Sequence, residues 1–145
     1  MAQARAAAGF TLIEVVIALA IVAITTMIAA SSYRNQLRRG HRAQAVQALL
    51  VAATEQEKFH LAHGSYGSRL DAAAGDDSPG LPVASRTPGG HYTLAVALAT
   101  PAEFRVVATA SGSQADPDCQ SLSIDESGRR LAANVQGADS ASRCW

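Results

Sequence analysis

The chain carries no net charge: twelve Lys and Arg balance twelve Asp and Glu over 145 residues, so no global affinity for polyanions follows and nucleic acid is not an expected partner; any binding of it would have to be local. There is no proline before Pro79, so nothing obliges a helix to stop before then. Two cysteines allow at most one intramolecular disulfide. No Ser-His-Asp order, Gly-rich phosphate loop or paired buried carboxylates stands out, and neither an enzymatic role nor a cofactor is expected. His60 and His63, with His41 and His91, invite a metal reading, but no Cys or acidic residue lies at ligand spacing beside them. Asp116, Asp118 and Asp125 match no calcium-loop spacing, so no metal is expected either.

The most informative stretch runs from Gly9 to Ala30, where a Phe opens an apolar run broken by one carboxylate, Glu14. At about 1.5 Å per residue, a helix over Phe10 to Ala30 matches the roughly 30 Å hydrocarbon core of a bilayer. An unpaired charge there costs at least about 2.5 kcal/mol, so Glu14 needs a reason. Phe10 and Glu14 are one helical turn apart. If cleavage freed an amino group on Phe10, Glu14 could pair with it within one subunit or with the Phe10 amine of the next. The second arrangement satisfies a buried charge only on assembly and so favours polymer over monomer. Without such pairing, Glu14 would simply snorkel at the interface.

The run Gly9-Phe10-Thr11-Leu12-Ile13-Glu14 resembles the processing site of type IV prepilins, where a dedicated peptidase cuts after the Gly and methylates the new N-terminal Phe. The whole chain is similar to minor pilins in four respects: an extended N-terminal helix, Gly89-Gly90-His91-Tyr92-Thr93 before a strand, a strand meander, and a Cys-bounded segment closing on Cys144-Trp145. The resemblance implies a leader at 1–9, cleavage and N-methylation at Gly9 and Phe10, and an assembly role for Glu14. It also implies three kinds of partner: other pilin subunits, the prepilin peptidase and the inner-membrane assembly machinery. The protein would sit in the bacterial inner membrane as a single pass, then in the pilus at the cell surface. Arg34, Arg38, Arg39 and Arg42 follow the span, whereas only Arg5 and the initial amine precede it, so the positive-inside rule predicts the reverse orientation. The processing motif, cut on the cytoplasmic side, and the two cysteines outweigh that count.

The expected fold class is α+β, a long N-terminal helix packed on a small antiparallel sheet. One nearly continuous helix is expected from Phe10 to about Ala62, on the order of 80 Å long, with 10–30 in membrane or filament core and 31–63 amphipathic. Leu37, Ala45, Leu49, Ala52, Ala53, Gln56 and Phe59 recur at three- and four-residue steps, and Gly64 supplies a C-cap. Gly40 is the expected soft spot. The arginines from Arg34 to Arg42 are expected to solvate the membrane exit or meet head groups. Residues 64–90, including Gly75-Asp76-Asp77-Ser78-Pro79-Gly80, read as a surface loop outside any regular core, tied back by Tyr66 and Leu70. Alternation then predicts strands over Tyr92 to Leu98, Phe104 to Thr109, Ser121 to Asp125 and about Leu131 to Ala133, in a region 91–145.

Cys119 and Cys144 should pair in an oxidising compartment, closing a loop of about 25 residues worth roughly 3–4 kcal/mol; in a reducing cytosol they would be two free thiols. The resemblance implies the first, a disulfide-bounded loop stapling Asn134 to Arg143, a segment with little else to hold it. The function expected is a structural minor pilin of a type IV pilus serving motility or adhesion. Two rivals stand beside it, the first sharing its N-terminal logic and the second of a different class. A type II secretion pseudopilin tends to use calcium where pilins use a disulfide. A DNA-binding competence pilin should cluster cations in exposed loops, whereas Arg86, Arg129, Arg130 and Arg143 are interspersed with Asp.

Overall fold

The structure, a computed structural model, describes residues 9–71, 80–112 and 116–145, without the side chains of 28–31. The expected leader up to Ala8 and the run Gly75 to Pro79 lie outside the described residues. By internal contacts the chain divides between Leu37 and Arg38 into two units.

Helix α1 (Leu12–His63) begins in the first unit. Among the described residues its apolar side chains there are unburied: Leu12 is 83% exposed, as is Phe10 just before it, and Ile13, Leu19, Ile24 and Met27 are exposed as well. The helix is long and apolar enough to cross a membrane. Two polar residues in this stretch satisfy themselves locally. Thr25 Oγ1 donates to the Ile21 carbonyl at 2.9 Å and Thr26 Oγ1 to that of Val22 at 2.9 Å, so neither hydroxyl needs an outside partner.

In the second unit α1 runs through Gly40 without interruption. It buries the stripe Ala45, Leu49, Ala52 and Gln56, with Ala53 and Phe59 half-buried beside it. It ends where Gly64, at φ +70°, donates its N–H to the His60 carbonyl at 2.8 Å, a left-handed turn that only glycine adopts cheaply.

Four antiparallel strands, β1 (Tyr92–Ala99), β2 (Phe104–Ala110), β3 (Ser121–Asp125) and β4 (Arg130–Ala133), form a sheet in that order. One row of apolar residues crosses all four: Leu94 opposite Ala108, Ala108 opposite Leu122, Leu122 opposite Ala132. These residues and the helix stripe belong to one core. The simple alternation expected to carry through Leu98 fails at Val96, where the β1–β2 register shifts; Leu98 then pairs with Arg105 and is only half-buried.

Within the segment 64–90, the described residues 64–71 and 80–90 are more structured than a surface loop. Leu81 and Val83 are buried in the core, contrary to the expectation that this segment lies outside it. Their backbone explains how: Leu81 N–H donates to the Arg69 carbonyl at 2.8 Å and Asp71 N–H to that of Val83 at 2.9 Å, so two short runs pair and turn their apolar residues inward. Gln56 fixes the same segment from α1. Its side-chain amide donates to the Gly67 carbonyl at 2.8 Å, and its oxygen accepts from the Gly67 N–H at 2.8 Å. Gly67 leaves little room for a larger residue: a Cβ there would stand 3.2 Å from Leu81 Cγ and 3.3 Å from Cδ2, so the Leu81 side chain would have to shift. Tyr66 and Leu70 pack against the core from this segment, as anticipated.

Irregular chain lies along both borders of the sheet. Beside β1, Arg86 bridges to Thr93 and Leu94 N–H donates to Ser85 at 2.7 Å. Beside β4, Ala133 bridges to Asp139, and Trp145 Nε1 donates to the Leu131 carbonyl at 2.9 Å.

Candidate functional site

The N-terminal motif occupies the start of α1. Thr11 caps the helix: the Glu14 N–H reaches Thr11 Oγ1 at 3.3 Å and its carbonyl at 3.1 Å. Thr11-Leu12-Ile13-Glu14 has the spacing of a capping box, a signal available in the sequence and missed there. Gly9, Phe10 and Glu14 are exposed, and among the described residues the Glu14 carboxylate has no partner. It stands where the helix dipole favours a negative charge.

The second cluster joins the second-unit part of α1 to the disulfide-bounded segment. Cys119 and Cys144 form the expected disulfide, with Cα atoms 5.8 Å apart. Beside it, Arg42 donates from Nε at 3.0 Å and Nη2 at 2.6 Å to Asp116 Oδ2, and from Nη1 at 3.0 Å to the Arg143 carbonyl. The Asp116 side chain is only 3% exposed and that of Arg42 16%, so this is a buried pair rather than a surface one. The placement of Arg42 corrects, for that residue, the reading of Arg34 to Arg42 as a group that solvates the membrane exit or meets head groups: Arg42 turns inward. Asp116 lies 74 positions away, and no local pattern could have signalled the match.

Tyr92 extends the network by donating its hydroxyl to the Cys119 carbonyl at 3.1 Å. Burial, reinforced by the Asp116 carboxylate and opposed by Arg42, pushes its pKa up to about 12. The segment after β4 is better held than expected. Asn134 Oδ1 accepts from the Gln136 and Ala138 N–H groups, Ser140 N–H donates to Ala132, and a short helix α2 (Ala141–Cys144) precedes Trp145. The Arg130 guanidinium lies 5.5 Å from the Trp145 ring centre.

The histidines do not converge. His60 Nε2 is 2.9 Å from the Pro101 carbonyl and His63 Nδ1 3.0 Å from that of Phe59. His41 stacks instead on His91, ring centres 3.5 Å apart. Burial, then the neighbouring His91 charge, lowers the His41 pKa. Asp118 faces Arg143 at 3.5 Å. Asp125 caps the β3–β4 turn, accepting from Ser127 Oγ at 2.6 Å and from the Arg129 N–H at 2.9 Å. The Ser127 bond lowers its pKa despite partial burial.

Two family models match this sequence. One, described as a prokaryotic N-terminal methylation motif, covers residues 4–30. The other, described as type IV minor pilin ComP, DNA uptake sequence receptor, covers residues 31–123, more than half of the chain. The chain belongs to this family of type IV minor pilins. A solved type IV pilin from Shewanella oneidensis is similar to this minor pilin at 24% identity, over 74% of this chain and 96% of that one, with a TM-score of 0.47; the family assignment rests on the sequence models. No curated protein matches. The pilin thus carries a methylation motif, an apolar N-terminal helix that fits a membrane anchor before assembly, and a disulfide.

Proposed function

We propose that this minor pilin is made as a prepilin, held in the inner membrane by residues 10–30, cleaved after Gly9, methylated on Phe10, and packed helix-to-helix into a filament displayed at the cell surface. The observation that carries the reading is the methylation motif running directly into an exposed apolar helix. Its Glu14 has no partner among the described residues of the chain, which supports pairing with the freed Phe10 amine of a neighbouring subunit. N-terminal mass analysis of protein from its host's membranes tests processing, and counting the Glu14→Ala variant in sheared filaments tests assembly. A mature chain that begins at methylated Phe10 and enters filaments only with Glu14 intact supports the proposal; retention of residues 1–9 overturns it. The disulfide favours a pilus over a calcium-dependent pseudopilin.

The family description favours a second reading, a receptor for DNA on a competence pilus, which the balanced charge and the loop arginines interspersed with Asp ranked low. Arg129 and Arg130 are exposed, with Arg130 against Trp145 and Arg143 exposed nearby in sequence, so cationic and aromatic groups are available at one border of the sheet. Filter binding of duplex DNA across a salt series, with and without Arg130→Ala, decides between display and DNA capture. Affinity that falls steeply with salt and weakens in the variant supports capture.

A further inference from the structure

Of the four arginines between Arg34 and Arg42, Arg42 is the one held by other residues among the described residues. Its contacts fall at the two places where the disulfide loop begins and ends. Asp116 lies three residues before Cys119 and is tied to it, the Cys119 N–H donating to the Asp116 carbonyl at 3.2 Å. The Arg143 carbonyl belongs to the residue directly before Cys144, whose own N–H is held by the Ser140 carbonyl at 3.1 Å. One planar guanidinium therefore grips both cysteine-bearing segments from a rigid helix, without using either sulfur. The grip on the second segment asks nothing of a side chain, since a backbone carbonyl receives it.

We propose that Arg42 is a positioning residue for closure of the Cys119–Cys144 disulfide, docking both cysteine-bearing segments on α1 before they are oxidised. In the reduced chain the two thiols are 25 residues apart in sequence. A flexible loop of that length meets itself at a modest effective concentration. With Arg42 engaged, the span between the sulfurs shortens to a few residues on either side of one guanidinium. Oxidation then locks an arrangement that the ion pair has already made.

The chemistry balances with any low-molecular-weight or protein disulfide as oxidant. The thiolate of one cysteine attacks a sulfur of the oxidant, forming a mixed disulfide and releasing the oxidant's first thiol. The thiolate of the second cysteine attacks the mixed disulfide, forming the Cys119–Cys144 bond and releasing the second thiol. Two electrons pass from the cysteines to the oxidant, and two protons leave with them. Arg42 acts on the second, intramolecular step.

Lysine separates this role from simple charge pairing. Arg42→Lys keeps a cation for Asp116 but lacks the fork that also spans to the Arg143 carbonyl. The test uses the full-length chain in detergent micelles, reduced and then mixed with glutathione disulfide, with thiols alkylated at intervals and species counted by mass. The original chain should close with little mixed disulfide present. Arg42→Lys and Arg42→Gln should accumulate it, with intramolecular closure slowed by at least about tenfold. Leu49→Ala, which weakens the same core seven residues further along α1 and leaves the guanidinium in place, should leave that partition unchanged. Closure of Arg42→Lys within twofold of the original chain overturns the proposal.

A second measurement keeps Arg42 and removes the disulfide instead. In a chain carrying Cys119→Ser and Cys144→Ser with Arg42 intact, the amides of Ser140, Arg143, Cys144→Ser and Trp145 should stay protected from hydrogen exchange. Exchange at the rate of an unstructured peptide would mean that the disulfide, and not Arg42, docks the segment.

Discussion

Gln56 offers a sharp test of what holds residues 64–71 to the helix. It is fully buried, and both ends of its amide are used, one on the Gly67 carbonyl and one on the Gly67 N–H. Replacing it by Met keeps the shape and apolar contacts while leaving both backbone groups buried and unpaired. Each orphaned group costs about 1–3 kcal/mol, so Gln56→Met should lose about 2–6 kcal/mol. For a unit of this size that lowers the unfolding midpoint by at least about 8 °C. Gln56→Glu separates the two bonds. Its carboxylate still accepts from the Gly67 N–H but cannot donate to the carbonyl, whereas its protonated form can do both. The introduced carboxyl therefore has a raised pKa in the fold, and its bond is fully present below the unfolded carboxyl value and lost as pH rises through the raised one. Thermal unfolding in mild detergent, followed by near-ultraviolet circular dichroism at several pH values, reads both effects. A loss below about 1 kcal/mol for Gln56→Met would refute the reasoning, because the two groups would then have found water or other partners.

Removing the disulfide by Cys119→Ser with Cys144→Ser should cost about 3.5 kcal/mol on the chain-entropy scale for a loop of this length, measured by urea unfolding; a cost near zero would mean that the remaining contacts already order the unfolded loop. The His41–His91 stack should make stability depend on pH in a defined window. The lowered His41 pKa means that the fold prefers the neutral ring, so its contribution is complete above the ordinary value of 6.5 and is lost as pH falls from there through the folded value. His91→Phe keeps a stacked ring and removes a charge, so the decline across this window should shrink; an identical profile would exclude the stack as its cause. Asp71 and Asp125, both lowered from 3.8, should fade only below that pH, leaving the histidine window clear.

Much of the fold was legible because its signals are local. The stripe Ala45, Leu49, Ala52 and Gln56 follows helical spacing, Gly64 marks the helix end, and the strands show period-two alternation. What escaped depends on distant partners. Leu81 and Val83 sit among turn-forming residues, and only their backbone pairing with residues 69–71 turns them inward. The shift at Val96 leaves no mark in a run of alternating apolar residues. Arg42 looked like its neighbours because a buried carboxylate and a backbone carbonyl, both far along the chain, decide its role. At the N-terminus the motif was plain, yet the capping geometry that makes Glu14 part of the helix start was overlooked.

The irregular chain along both borders of the sheet bears on how copies of this protein can meet. A bare strand edge is an invitation to endless backbone pairing, and the invitation grows with local concentration. Subunits side by side in a filament would be about as concentrated as protein becomes. With Ser85 and Arg86 lying against one rim, and Asp139 and Trp145 against the other, the usual route to sheet extension is obstructed. In the helix-to-helix packing proposed above, association would rest on side chains of the apolar helix, a kind of contact that membrane lipid can replace. In the assembly proposed above, such a polymer can be dismantled and its parts returned to the bilayer; one stitched through strand edges would set like amyloid and stay built.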